Sequence, residues 1–264
     1  LIAEEKLYSN DSSSTQISYL LAQHHYALGS NYAPLAGNAY KWEYKTALEI
    51  CDAAINKFPQ SLGAQNCAAL KQSILQKEFT LTAEAVVVPE KPFRAGVSFR
   101  NIDTMFLRIV KVTPEQMDMI EVMGYDEKFT ALEKYPVLKS WYQLLPVDGD
   151  YQNHFTEIKI DELPIGSYYL VVSENNAFTS SGNKLIAQEL CVSNLSYIAT
   201  GSDYNNNMNK DFYVLDRTTG KPVKGASVQT FRKEYDYDKR VYKYNALKSY
   251  KTDDNGLFSV SDPL

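Results

Sequence analysis

The sequence predicts three parts in order: a helical module, an antiparallel β-sandwich, and a second β-sandwich that is cut short. Three observations carry this. Apolar residues recur at helical spacing as far as Ile74, and the period changes to that of strands at Phe79. Leu163-Pro-Ile-Gly-Ser-Tyr-Tyr-Leu-Val-Val172 is a turn running into a strand. Val214 to Phe231 and then Lys251 to Val260 spell out strand, turn and strand twice. At 264 residues the chain has room for two domains or three small ones.

The helical module is placed at residues 1–78. Tyr19, Leu20, Ala27 and Leu28 repeat at helical spacing. Ala47, Leu48, Cys51, Ala54, Ile55 and Phe58 do the same and end at Pro59. Ala64, Cys67, Ala68, Leu70 and Ile74 mark a further helix after the turn Pro59-Gln-Ser-Leu62. Small residues at this spacing let paired helices approach closely. The run from Ala47 to Ser61 is similar to the second helix and turn of a TPR repeat. Only one repeat is legible, and a plain helical hairpin fits the same residues.

The first sandwich is placed at 79–192. Phe79 to Val88 reads as its entering strand and Pro89 to Pro92 as a turn, with strands at Ala95–Phe99 and Met105–Val112. A helical insertion is expected near 114–145. Pro114-Glu-Gln-Met-Asp-Met starts one short helix, and Asp126 to Leu145, broken at Pro136, gives another. Such an insertion is expected in a loop at one end of the sandwich. The strand pattern resumes at Phe155–Ile160, continues through Leu163–Val172 and closes at Leu185–Cys191.

The second sandwich is placed at 193–264. Thr219-Gly220 supplies a turn that tolerates positive φ, Pro222 fixes φ as the next segment opens, and Gly225-Ala226 is expected to let that segment approach its neighbour closely. Ser227 to Arg232 alternates as a half-buried strand does, and Asp254-Asn255-Gly256 is a tight-turn signal before Leu257, Phe258 and Val260. The span from Ser193 is shorter than the ~100 residues of a common seven-stranded sandwich. Asp262-Pro263-Leu264 reads as the middle of a turn, which favours truncation over a reduced copy. An edge left unpaired in this way invites association with another chain.

These words resemble a known family. "VLDRTTGKPVKGASV" followed by "KTDDNGLFSV" looks like the macroglobulin-type, immunoglobulin-like β-sandwich domain of bacterial α2-macroglobulin-like proteins. Pro89 to Asn101 with Phe106 to Val112 resembles the opening strands of a preceding domain of that kind. Val192 to Ala199 resembles the linker and first strand of the next. Carboxypeptidase-regulatory-like and other prealbumin-type sandwiches carry nearly the same "TGKPVKGA" and "TDDNG" words; the order of all three pieces favours the macroglobulin family. The resemblance implies an envelope-associated chain, periplasmic or on the cell surface, whose whole length traps proteases. The family's thioester is written CxEQ, and neither Cys51, Cys67 nor Cys191 stands in that context.

Composition and motifs point away from catalysis. A net charge of −5 and an isoelectric point near 5.3 disfavour nucleic acid or an anionic membrane as main partner. No apolar run approaches the ~18 residues of a transmembrane helix. The chain opens on Leu1 and reads as an internal piece of a longer protein. Three cysteines without CxxC spacing make neither a disulfide framework nor a zinc site. They read as small buried hydrophobes, and a Cys51–Cys67 bridge is the alternative in an oxidising compartment. Adjacent His24 and His25 diverge on a helix, and His154 stands alone beside Phe155. Asp253-Asp254-Asn255-Gly256 lacks the acidic spacing of a calcium loop, and no serine sits in a GxSxG context. No catalytic residue, metal ligand or cofactor is expected.

The most suggestive surface is Glu234-Tyr-Asp-Tyr-Asp-Lys-Arg-Val-Tyr-Lys-Tyr244. Tyr235, Tyr237, Tyr242 and Tyr244 alternate with charged residues and are expected to project from one strand face. Tyrosine offers an apolar face and a polar tip, suited to sugar, peptide or a neighbouring domain. The favoured expectation is packing on a neighbouring domain of the same chain. Two functions follow: a non-catalytic scaffold segment of an α2-macroglobulin-like protease inhibitor, or a surface adhesin or glycan- and peptide-binding module of prealbumin-like sandwiches.

Overall fold

The computed structural model describes residues 1–200, 210–237 and 241–260. Asp262 to Leu264, expected as the middle of a turn, lie outside the described residues, as do Asp238 to Arg240 of the tyrosine-rich run. Two compact units emerge. The first comprises 1–81, 96–105 and 143–157; the second comprises 82–95, 106–142 and 158–264.

The first unit holds the helices α1 (Ile2–Leu7), α2 (Ser14–Gly29), α3 (Glu43–Lys57) and α4 (Leu62–Leu75), with a short 3₁₀ turn at Pro34–Ala36. α3 buries Tyr44, Ala47, Leu48, Cys51 and Ala54, and α4 buries Gly63, Ala64, Cys67 and Ile74. Phe58 and Ile55 stay partly exposed at the margin. Ser61 caps α4, its Oγ accepting from the Ala64 N–H at 3.3 Å. The buried face of α2 differs from the expected one. It consists of Ser14, Thr15, Ser18, Ala22 and Gly29, while Leu20 is exposed. Small residues hold that face because neighbours crowd it: a Cβ on Gly63 of α4 would lie 2.2 Å from the Thr15 carbonyl carbon, and one on Gly29 would lie 2.6 Å from the Tyr44 ring of α3.

The strands run β1 (Glu78–Ala83), β2 (Val86–Val87), β3 (Phe93–Arg100), β4 (Thr104–Val112), β5 (Val137–Leu144), β6 (His154–Ile160), β7 (Gly166–Ser173) and β8 (Leu185–Val192). β1, β3 and β6 form a three-stranded sheet in that order; the other five form a sheet in the order β2-β8-β7-β4-β5. Period-2 burial is plain in β1, which hides Phe79 and Leu81, and in β3, which hides Ala95, Val97 and Phe99.

Three expectations for this region are corrected. Residues 137–144 are a strand, β5, rather than the second half of a helix. Pro136 denies the helix a continuation, and Val137, Trp141 and Tyr142 favour an extended edge strand beside β4. The pairing is not antiparallel throughout: Val86 and Val87 run parallel to Cys191 and Val192. Finally, the helical insertion does not sit in an end loop. α5 (Pro114–Glu121) and α6 (Tyr125–Leu132) cover a face of the five-stranded sheet, burying Ile120, Phe129 and Leu132 against Val110, Tyr169 and Val171. α5 starts with a full capping box between Thr113 and Gln116, with Pro114 in the first turn.

The C-terminal part of the second unit contains β9 (Leu195–Thr200), β10 (Lys210–Asp216), β11 (Ser227–Asp236), β12 (Val241–Lys251) and β13 (Leu257–Val260). One antiparallel sheet has the order β13-β10-β9, and β11 pairs with β12 as a hairpin. The two sequence words meet here. Val214 N–H donates to the Gly256 carbonyl at 2.8 Å and Val223 N–H to the Val214 carbonyl at 2.9 Å. Thr252, only 5% exposed, donates its hydroxyl to the Val223 carbonyl at 2.6 Å and accepts from Ala226 N–H at 2.8 Å. Gly220 has φ +68° as expected. Gly225 does not serve close approach: a Cβ there meets only Lys251 Cε at 3.6 Å, and its φ of +73° is what requires glycine. The close approach belongs to Gly256.

Candidate interaction surface

The β11–β12 hairpin places Tyr235 opposite Tyr242 and Lys233 opposite Tyr244. Directly opposed residues of an antiparallel pair share a face, and Tyr237 lies two positions beyond Tyr235. Tyr235, Tyr242 and Tyr244 therefore stand on one face, and Tyr237, in the turn after β11, joins them through its ring contact with Tyr235. Tyr235 meets Tyr242 edge-on with ring centroids 5.0 Å apart, and meets Tyr237 edge-on at 5.1 Å. Tyr237 is 84% exposed and Tyr235 37%, whereas Tyr242 and Tyr244 are half-buried.

The face is divided by Lys233. Its Nζ stands 4.3 Å from the Tyr242 ring centroid and 5.7 Å from that of Tyr244. It also lies 3.7 Å from Asp118 Oδ1 and 3.7 Å from Glu121 Oε2, both on α5. Burial, reinforced by the Asp118 carboxylate, raises the Tyr244 phenol above its usual range. Tyr244 thus belongs to an internal contact with α5, Tyr242 is covered by Lys233, and Tyr235 and Tyr237 form the open half. Lys233 is the residue that sequence reasoning missed; its register opposite Tyr244 was the available signal.

Behind the hairpin, β9, β10 and β11 enclose an open apolar cavity of about 520 Å³. Leu195 and Tyr197 line it from β9, Phe212 and Val214 from β10, and Val228 and Thr230 from β11. Phe212 stacks on Phe258 at 5.0 Å with the rings 11° from parallel.

The histidines resolve differently. His25 Nδ1 lies 2.5 Å from Glu43 Oε2, an ordinary side-chain pair between α2 and α3. His154 is not alone. In the first unit its Nε2 lies 2.8 Å from Asp150 Oδ1 and 3.6 Å from Asp148 Oδ1, while Lys41 Nζ holds Asp148 Oδ2 at 2.5 Å and stands 3.8 Å from Asp150 Oδ2. Asp148, Asp150 and His154 have the spacing of a small metal cluster. The two carboxylates face a lysine on one edge and an imidazole on the other. Gln152 completes the clasp, donating from Nε2 to the Gly29 carbonyl at 3.1 Å. Asp148 is held below the usual carboxylate range by its hydrogen bond from Lys41.

No known family profile matches the sequence, and no curated relative matches it. The solved structures with which the chain aligns include bacterial α2-macroglobulins. A fragment of the native Escherichia coli protein spanning domains NIE-MG1 aligns at 14% identity over 72% of this chain and 88% of that one, with a TM-score of 0.46. A longer fragment of the native protein, spanning MG0-NIE-MG1, aligns at 12% identity over 71% of this chain, with a TM-score of 0.49. The chain spans 58% of that fragment, and 13% of the trypsin-activated E. coli protein, where the TM-score is 0.29.

Proposed function

We propose that this chain is a non-catalytic scaffold segment of a bacterial α2-macroglobulin-like protein, in which the whole protein acts as an envelope-associated protease trap. The observation that supports this reading is the meeting of the two sequence words. "TGKPVKGA" and "TDDNG" are separated by the tyrosine hairpin, yet Val214, Val223, Ala226, Thr252 and Gly256 join them into one hydrogen-bonded unit. The hairpin leaves and returns as an excursion from that unit, which suits a building block repeated in a multidomain chain. The segments 1–78, 79–192 and 193–264 are its domains in this proposal, and the other domains of the same chain are its first partners.

The chemistry of the described side chains suits such a role. Lys41 with Asp148 and Asp150, and Gln152 with the Gly29 carbonyl, clasp the 143–157 segment to the helices. In the test, the complete gene product is mixed with an endopeptidase and assayed on a large protein substrate and on a small peptide. A trap spares the protein substrate while the peptide is still cleaved. Equal cleavage of both would end this reading. The exposed rings of Tyr235 and Tyr237 support the second reading, a glycan- or peptide-binding module, and specific retention on a glycan array abolished by Tyr237→Ala would favour it.

A further inference from the structure

Cys51 on α3 and Cys67 on α4 have no solvent exposure and lie together in the core of the helical module, among Ala47, Leu48, Ala54 and Ile74. Both thiols are free and belong to one buried cluster, on helices α3 and α4 that pack against each other. The register that brings them together is fixed from outside the core. Asp52, next to Cys51, pairs at 2.5 Å with Lys71, one turn beyond Cys67, and the capped turn at Ser61 joins the two helices. Cys191 is remote in sequence and sits on β8, so the partner choice is unambiguous.

We propose that Cys51 and Cys67 form a disulfide that staples α3 to α4 as the module folds. An S–S bond is ~2.05 Å long and joins cysteines whose Cα atoms lie about 4.4–6.8 Å apart, as small residues facing each other across packed helices can. The bond crosslinks the segment from Asp52 to Asn66, restricting the unfolded chain. Burial places the oxidation during folding, before the core seals. The oxidant is a disulfide, either small or enzyme-borne. One of the two cysteines, as thiolate, attacks one sulfur of it and releases the first thiol. The other then attacks the protein sulfur of the mixed disulfide and releases the second. Two protein thiols are oxidised, one disulfide is reduced to two thiols, and the protons pass to the released thiolates.

The proposal is independent of the protease-trap reading, since the test supplies its own oxidant. The 264-residue chain is reduced, denatured and refolded in a buffer of oxidised and reduced glutathione. It is then denatured, treated with N-ethylmaleimide and weighed. One adduct is expected, on Cys191, with the peptides holding Cys51 and Cys67 linked until reduced. The thermal midpoint should fall on adding a phosphine reductant, and Cys67→Ala should carry two adducts and lose that response. Three adducts on the native sequence, or a link that includes Cys191, would overturn the proposal.

Discussion

Gly256 and Val214 are in backbone contact from both sides: the Val214 N–H donates to the Gly256 carbonyl at 2.8 Å, and a Cβ on residue 256 would lie 2.5 Å from the Val214 carbonyl oxygen. The obstacle is backbone, held in turn by the Val223 N–H at 2.9 Å, so it has no easy way to yield. Gly256 also has φ +71°, where a side chain is strained whatever the space. Both penalties act together in Gly256→Ala. A loss of roughly 2–4 kcal/mol is expected, from strain of about 1–3 kcal/mol plus displacement of the turn. Urea unfolding of the variant measures it, and a midpoint within error of the parent would rule out the close approach.

Gly220 separates the two effects. Its φ is +68°, but a Cβ there meets nothing within 4 Å. Gly220→Val should cost roughly 1–3 kcal/mol through backbone strain alone. Gly220→Asn should cost much less, because asparagine tolerates the left-handed region. Chemical denaturation of both variants checks this. Equal losses would mean the turn is sensitive to side-chain bulk rather than to φ.

Much of this turn chemistry was legible because glycine, proline and Asx residues state backbone geometry directly. The role assigned to Gly225 was wrong for a related reason. Sequence marks where glycine is needed, but not whether φ or a neighbour's backbone demands it. The β5 strand was missed because Tyr125 to Leu132 has a sound helical period that invites extension across Pro136. The parallel contact of β2 with β8 was missed because two residues carry no period. In the surface region, the shared tyrosine face followed from alternation, whereas Lys233 reaching α5 depends on tertiary placement. His154 looked isolated because its partners Asp148 and Asp150 come close only when the loop folds back, and Lys41 comes from the helical module.

Lys233 should prove important to the hairpin's position and modest in energy. At 40% side-chain exposure, its distant ion pairs with Asp118 and Glu121 contribute at most about 1 kcal/mol, and the contact with the Tyr242 ring a similar amount. Lys233→Met keeps the alkyl stem and should lower stability by about 2 kcal/mol or less. Tyrosine fluorescence quenching by acrylamide should rise, because Tyr242 and Tyr244 lose the cation that covers their rings. A quenching profile identical to the parent's would mean the hairpin is held by other contacts.

The Lys41–Asp148 pair makes the first unit sensitive to acid. Asp148 has its pKa lowered in the fold, chiefly by the hydrogen bond from Lys41, so the folded state binds that proton less readily than the unfolded chain. Its contribution is therefore complete above the unfolded carboxylate value of about 4 and is lost as pH falls through the lower folded value. Lys41 is raised by the same hydrogen bond and stays charged throughout this range. The unfolding midpoint of the parent should fall on acidification from about pH 5 to pH 3. Lys41→Met should start lower at pH 5 and fall less steeply, because Asp148 then loses the bond that distinguished its folded from its unfolded state. Asp148→Asn should flatten the same part of the profile while leaving Lys41 in place. Parallel curves for parent and both variants would show that this pair does not couple protonation to folding, and that other carboxylates carry the acid response.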